Sequence, residues 1–195
     1  MFSPSKPQTI TKEFLIIIKN MQSDMLDEVH DLNYGGCGYF SLMFYNAIKD
    51  IYPEAKIVAF DSYETLEYYK DNINNVINNG HNGYLHDMAP SHLLVKIGKY
   101  YIDGYEYFTD TSDVPHQPGK RWTYIGEYSD HELEVALMYG NWNSDYDKSQ
   151  NKEVLRIIDK YLSPNLPLRK SIIEKIGIKI RKIYKSNKAI LDREY

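Results

Sequence analysis

The chain has little of the chemistry that disulfides and metal centres need, since one cysteine, Cys37, stands among 195 residues. A single thiol forms no disulfide within the chain, and no set of histidines, cysteines and acids has the spacing of a zinc site. We therefore expect no metal and no cofactor. A lone cysteine is most often a small buried apolar residue, so a chemical role for Cys37 has to come from its neighbours.

Long apolar runs are also absent. The longest, Phe14 to Ile18, falls far short of the roughly 20 residues that a membrane-spanning helix needs. The first seven residues lack the layout of a secretory signal. Together with the single cysteine, this predicts a reducing cytoplasm, that of the host if the protein is viral. There is no phosphate-binding glycine loop and no nucleic-acid motif, so we do not expect a nucleic-acid partner.

Acidic and basic residues are unevenly distributed. The net charge is −4, yet residues 169–195 hold nine lysines or arginines against three acids, so the rest of the chain carries −10. We predict one domain over residues 1–163 and a basic amphipathic helix in residues 164–195. Such a helix suits an acidic partner or a membrane surface. Docking on the acidic body of the same chain needs no partner, and we expect that arrangement.

Apolar periodicity and capping signals predict helices around a small antiparallel sheet, which is an α+β fold. The predicted helices span residues 11–30, 37–51, 61–80, 129–140, 149–162 and 170–190. The predicted strands span residues 57–60, 92–97, 100–105 and 121–126. We place the start of the third helix at Asp61, because Asp61 to Glu64 have the layout of a capping box.

The strands on either side of Gly98-Lys99 are predicted to form a hairpin, because a two-residue loop with glycine first suits a type II′ turn. This register, with side chains that alternate between faces, puts His92 and Asp103 on one face. Such diagonal neighbours have backbones roughly 7–8 Å apart, which these side chains can bridge. A carboxylate bound to one imidazole nitrogen fixes the tautomer and leaves the other nitrogen to accept a proton.

The predicted helix at residue 37 begins at the thiol. A helix N-terminus and a nearby imidazolium both favour the thiolate, which is the nucleophilic form of cysteine. Gly36 and Gly38 keep side chains away from Cys37, so an acyl carbon could approach and backbone N–H groups could bind an oxyanion. Asn33 could add a side-chain donor to that oxyanion site, or it could simply start the turn.

Two segments resemble the papain-like superfamily of cysteine hydrolases and acyltransferases: Gly35 to Phe40, around Cys37, and His92 to Asp103. The pattern is closest to compact members such as bacteriocin-processing peptidases, transglutaminase-like proteins and cell-wall amidopeptidases. The resemblance implies a nucleophile-bearing helix packed on a small antiparallel sheet, here with additional C-terminal helices. It implies that Cys37 is the nucleophile, His92 the general base and Asp103 the residue that orients the base.

These observations lead to two hypotheses for function. The first is a thiol hydrolase, or an acyltransferase, that acts on an amide, isopeptide or ester bond of a protein or peptide through Cys37, His92 and Asp103. The second is a non-catalytic papain-like binding protein, for example a viral antagonist of a host factor, that uses the cleft or the basic C-terminal helix. His81 and His86 are alternative candidates for the base.

Overall fold

The computed structural model describes residues 9–80, 87–114, 122–140, 146–164, 176–178 and 182. Within these residues the protein has a mixed α+β fold with a small antiparallel sheet, as the sequence predicts. The helices are α1 (Lys12–Glu28), α2 (Cys37–Ile48), α3 (Leu66–Asn79), α4 (Asp130–Tyr139) and α5 (Asn151–Leu162). The strands are β1 (Lys56–Asp61), β2 (His92–Ile97), β3 (Tyr100–Ile102), β4 (Tyr107–Phe108) and β5 (Thr123–Tyr128).

The five strands of the described residues lie in the order β4-β3-β2-β1-β5, and every neighbouring pair is antiparallel. Strands β2 and β3 form the predicted hairpin, with Ile97 opposite Tyr100. Gly98 has a φ of 57°, a conformation that favours glycine and that the first position of a type II′ turn requires. The strand β3 is shorter than predicted. It ends at Ile102, and the N–H of Asp103 donates to the carbonyl of Glu106 at 3.0 Å.

The two faces of the sheet bury different sets of side chains. Leu93 and Val95 of β2 belong to the main core, whereas Leu94, between them, packs with Val58 and Phe60 in an outer cluster. This alternation confirms the predicted split of the hairpin into two faces. The outer cluster consists of Val58, Phe60, Leu94, Phe108 and Val114, with Tyr101 and Trp122 packed against it.

Helix α2 is the centre of the main core. It packs against β2, α4 and α5, and every residue from Cys37 to Phe44 is buried. A helix that is apolar on all sides is typical of such a central position. Cys37 is the first residue of this helix, so its thiol lies at the edge of the core. Only 3% of the residue is exposed to solvent.

Helices α1 and α5 lie side by side at the outside of the core. Two ion pairs cross the rim of their contact, Arg156 with Glu28 at 2.7 Å and Lys160 with Asp24 at 2.6 Å. Exposed pairs of this kind contribute at most about 1 kcal/mol each. Burial of the apolar faces of the two helices therefore supplies most of the stabilisation.

The predicted start of the third helix is wrong. The Asp61 side chain accepts the N–H groups of Tyr63 and Glu64 at 2.8 and 3.1 Å, but these residues form a turn before the helix. Helix α3 begins at Leu66, and Thr65 caps it by accepting the N–H of Tyr68. The helix predicted to begin at residue 129 is present as α4, and Ser129 and Glu132 exchange both hydrogen bonds of a capping box at its start.

Most of the predicted basic helix at 170–190 lies outside the described residues. Its described part includes Ile176, which is buried in the main core, and Gly177, which lies next to Leu155 of α5. In the ranges given above, no helix is long and apolar enough to cross a membrane.

Candidate active site

The candidate nucleophile is presented by an unusual turn. Residues Leu32–Gly36 form a π-helical turn that leads directly into α2, and Asp31 before it adopts a left-handed conformation with a φ of 56°. A Cβ atom on Gly36 would lie 2.7 Å from the Tyr146 ring, so only glycine fits at this position. Packing thus explains Gly36 without any substrate, and the roles of Gly36 and Gly38 in oxyanion binding stay predictions.

His92 and Asp103 are brought together by the hairpin. The Nε2 atom of His92 lies 3.3 Å from Oδ2 of Asp103, and both side chains are 1% exposed. The other carboxylate oxygen, Oδ1, accepts the backbone N–H groups of Tyr105 and Glu106 at 2.7 and 2.8 Å. These two backbone hydrogen bonds fix the orientation of the carboxylate, so that Oδ2 faces the imidazole.

The imidazole of His92 also interacts with the Cys37 thiol. Burial by itself lowers the pKa of His92, but the hydrogen bonds and charges of Asp103 and Cys37 outweigh burial and raise the pKa to about 9. Since Nε2 faces Asp103, Nδ1 is the nitrogen that remains for the thiol. Nδ1 makes no hydrogen bond of regular geometry with the described residues, so the thiol contact is not an aligned hydrogen bond. Cys37, His92 and Asp103 therefore form one buried cluster.

Asn33 lies at this cluster but has a different contact from the one expected of an oxyanion donor. Its Nδ2 atom donates to Oδ2 of Asp103 at 3.2 Å, the same oxygen that faces His92. Its Oδ1 atom is buried and has no hydrogen-bond partner among the described residues. The oxyanion role of Asn33 stays a prediction, and the contact that the structure gives it is with the acid.

Two further polar side chains fix the loop that carries Asp103, Tyr105 against the turn before Cys37 and Gln22 against α1. The Tyr105 hydroxyl accepts the N–H of Leu32 and donates to the carbonyl of Val29, both at 3.0 Å. The Gln22 amide donates to the Asp103 carbonyl at 3.0 Å. Sequence reasoning missed both residues, because their partners lie 73 to 81 positions away in the chain.

An aromatic ring covers one face of His92. The ring of Trp122 stacks on the imidazole of His92, with centroids 5.0 Å apart and an interplanar angle of 26°. This stacking on a buried imidazole places Trp122 beside the candidate site. A flat apolar neighbour restricts the rotation of the imidazole and limits its contact with water.

The alternative bases His81 and His86 lie outside the described residues. Among the residues that are described, no group of three or more histidines, cysteines and acids is arranged to hold a metal ion. A pocket of about 380 Å³ lies at the turn end of the hairpin, lined by Ile97, Gly98 and Tyr100 among others. Five residues of strand separate Ile97 from His92, roughly 16 Å, so this pocket is not part of the candidate site.

Comparison of the chain with protein-family models, with curated proteins and with solved structures found no match. The geometry of Cys37, His92 and Asp103 is therefore the basis for inferring a function.

Proposed function

We propose that the protein is a papain-like thiol hydrolase or acyltransferase in which Cys37 is the nucleophile, His92 the general base and Asp103 the orienting acid. The proposal is supported by the position of the His92 imidazole between two groups. Its Nε2 atom lies 3.3 Å from the Asp103 carboxylate, and the ring also interacts with the Cys37 thiol. A buried imidazole between a carboxylate and a single free thiol is the arrangement that activates a cysteine for acyl transfer.

The first half of the reaction follows from these roles. The proton of Cys37 moves to Nδ1 of His92, and the thiolate sulfur attacks the carbonyl carbon of an amide, isopeptide or ester. The C–S bond forms, and the C–N or C–O bond breaks. The imidazolium gives its proton to the departing amine or alcohol, which leaves a thioester on Cys37. Asp103 stabilises the imidazolium throughout and keeps its own charge.

The second half releases the acyl group. His92 removes a proton from water, or from an acceptor amine, and the resulting nucleophile attacks the thioester carbon. The C–S bond breaks and the thiolate takes back the proton. Water gives hydrolysis and an amine gives transfer, so the two reactions share the same residues. We infer a protein or peptide substrate and a reducing compartment in which the lone thiol stays free.

The proposal is tested by trapping the thioester. The full-length protein is incubated at pH 7 with p-nitrophenyl acetate, p-nitrophenol release is followed, and the intact mass is measured after acid quenching. We expect one acetyl group per chain, none in Cys37→Ser, and at least a 100-fold slower acylation in His92→Gln. His131→Gln is the matched control, since His131 is an exposed histidine of α4, and it should acylate like the wild type.

Acylation of Cys37 at the rate of the unfolded chain, or a rate unchanged in His92→Gln, would contradict the catalytic proposal. A partner protein bound equally by the wild type and by Cys37→Ser, with no acylation of either, would favour the binding hypothesis instead.

A further inference from the structure

Asn33 and His92 both face one oxygen of Asp103. The Nδ2 atom of Asn33 lies 3.2 Å from Oδ2, and the Nε2 atom of His92 lies 3.3 Å from the same Oδ2. We propose that Asn33 is a positioning residue that shares this oxygen with the base, and so moderates how strongly Asp103 holds the imidazole proton. This inference rests on the proposed function for its catalytic meaning.

The orientation of the Asn33 amide is set by its partner. A carboxylate oxygen only accepts hydrogen bonds, so the amide group of Asn33 has to present its NH₂ to Oδ2. The reverse orientation would put two acceptor oxygens against each other in a buried site. The contact therefore aims the donor of Asn33 at the acid.

The acid stays in place without Asn33. Its other oxygen, Oδ1, is held by the N–H groups of Tyr105 and Glu106 at 2.7 and 2.8 Å. Loss of the Asn33 amide thus removes a competing donor from Oδ2 without releasing the carboxylate. A hydrogen-bond acceptor that loses one of two donors binds the remaining donor more strongly.

The turn that carries Asn33 is fixed against the loop that carries the acid. The Leu32 N–H donates to the Tyr105 hydroxyl at 3.0 Å. A Cβ atom on Gly104 would overlap the Leu32 side chain, which shows how closely the two segments pack. This tight contact favours the acid, and not a substrate bound at Cys37, as the lasting partner of Asn33.

Few ionisable groups act on His92. The described groups that shift its pKa are Asp103, which follows β3, and Cys37 at the start of α2. The ring packed on its face, Trp122, carries no charge. A change at Asn33 therefore reaches His92 through Asp103, and replacing Cys37 by alanine leaves Asp103 as the one described charged group that acts on His92.

The test is a titration of the His92 imidazole by NMR in the full-length protein. Cys37→Ala is compared with Cys37→Ala/Asn33→Ala, with ¹⁵N-labelled histidine and with the His92 signals identified by their absence from His92→Gln. We expect the titration midpoint to rise by roughly 0.5 to 1 pH unit when Asn33 is removed, because Oδ2 then binds the imidazolium alone. Asn46→Ala is the matched control, since the Asn46 amide bonds to Leu42 within α2 and should leave the midpoint unchanged.

The acylation rate is measured alongside on chains that retain Cys37. A positioning role predicts that the pH profile of acylation in Asn33→Ala moves in the same direction as the titration midpoint of His92. A titration midpoint that stays constant or falls in the Cys37→Ala/Asn33→Ala chain overturns the inference. If the midpoint is constant and the acylation rate of Asn33→Ala falls by roughly 100-fold or more, Asn33 is an oxyanion donor instead. If Asn33→Ala does not fold, Asn33→Ser keeps a turn-forming residue that is too short to reach Oδ2. If the wild type is not acylated, the proposed function fails while the titration still decides the inference.

Discussion

Two buried carboxylates, Asp61 and Asp103, lie at the C-terminal ends of β1 and β3, the two strands that flank β2, and they have the same local structure. Asp61 is the last residue of β1 and Asp103 directly follows β3, and the two residues are 3% and 1% exposed. Each is followed by tyrosine and glutamate two and three positions later, and its Oδ1 atom accepts the N–H groups of both. The sequence repeats the pattern as Asp-Ser-Tyr-Glu and Asp-Gly-Tyr-Glu.

The two carboxylates differ in the groups that their second oxygen, Oδ2, contacts. Oδ2 of Asp61 accepts the Tyr69 hydroxyl at 3.0 Å and the Ser91 N–H at 2.7 Å. Oδ2 of Asp103 faces the side chains of Asn33 and His92. One carboxylate thus fixes the backbone just before His92, and the other fixes the His92 side chain. The same local motif serves structure in one case and, on our proposal, catalysis in the other, because the distant partner differs.

The largest expected effect comes from Asp103→Asn. The Tyr105 and Glu106 N–H groups hold an oxygen at Oδ1, so the asparagine must turn its NH₂ group toward His92. Nε2 would then accept a hydrogen bond from that NH₂ group and Nδ1 would carry the ring proton, which is the wrong tautomer for a base. We expect p-nitrophenyl acetate to acylate Cys37 at least about 100-fold more slowly at pH 7.

Asp61→Asn is the control for that experiment, because it makes the same chemical change in the same local motif. It should acylate within a few-fold of the wild type. Equal losses of acylation in both variants would show that the two carboxylates do not differ in role.

The next effect is on stability at alkaline pH. The pKa of His92 is raised from 6.5 to about 9 in the folded protein, because burial, which lowers it, is outweighed by the interactions of the imidazole with Asp103 and Cys37. Stability from this group is therefore complete below about pH 6.5 and is lost as the pH rises through about 9. The difference corresponds to about 3 kcal/mol of unfolding free energy at most. Urea denaturation of the wild type and of His92→Gln at pH 6 and 10 measures it.

The free energies of unfolding of the wild type and of His92→Gln should be nearly equal at pH 10. A difference in unfolding free energy between wild type and His92→Gln that is the same at both pH values would show that the folded protein does not hold the imidazolium.

Asp61→Asn should change stability in the opposite pH range. Burial raises the pKa of Asp61, but the N–H groups of Tyr63, Glu64 and Ser91 outweigh burial and lower it. Its contribution is present above the ordinary pKa of an aspartate and is lost as the pH falls below it. We expect Asp61→Asn to lower the free energy of unfolding by about 1–3 kcal/mol at pH 7 and by less at pH 3, measured by urea denaturation. A loss of the same size at both pH values would contradict this assignment.

The smallest effect is expected from Tyr69→Phe, which removes one hydrogen bond to Asp61 and keeps the ring. The loss should be about 1 kcal/mol, with acylation of Cys37 unchanged. Thermal unfolding and the acylation assay together measure both quantities. A marked slowing of acylation would mean that Asp61 acts on the site as well as on the fold.

Local patterns in the sequence predict the turns and helix starts that depend on residues a few positions apart. The hairpin around Gly98 and the helix that begins after Ser129 are confirmed, and their signals lie within a few positions. The start of α3 at Asp61 was wrong because a turn and a capping box share the same donors, N–H groups two and three positions on. The candidate triad could be named because the hairpin brings two of its members together.

The rest of the site could not be predicted, because it depends on contacts between distant segments. Nothing in the local sequence says that the Tyr105 hydroxyl bonds to Leu32, or that Asn33 donates to Asp103. The repeated aspartate motif is visible in the sequence, but the partners that distinguish its two copies are supplied by the fold.

The pH dependence of Cys37 alkylation tests the central claim most directly. Iodoacetamide modifies the single cysteine, and intact mass gives the rate for the folded wild type, His92→Gln and the urea-unfolded chain. A free thiol reacts about tenfold more slowly for each pH unit below a pKa of about 8.5. If His92 holds the thiol proton, the folded wild type should react at nearly the same rate from pH 6 to pH 8, and His92→Gln should not. A tenfold decrease per pH unit in the folded wild type, parallel to that of the unfolded chain, would contradict the account.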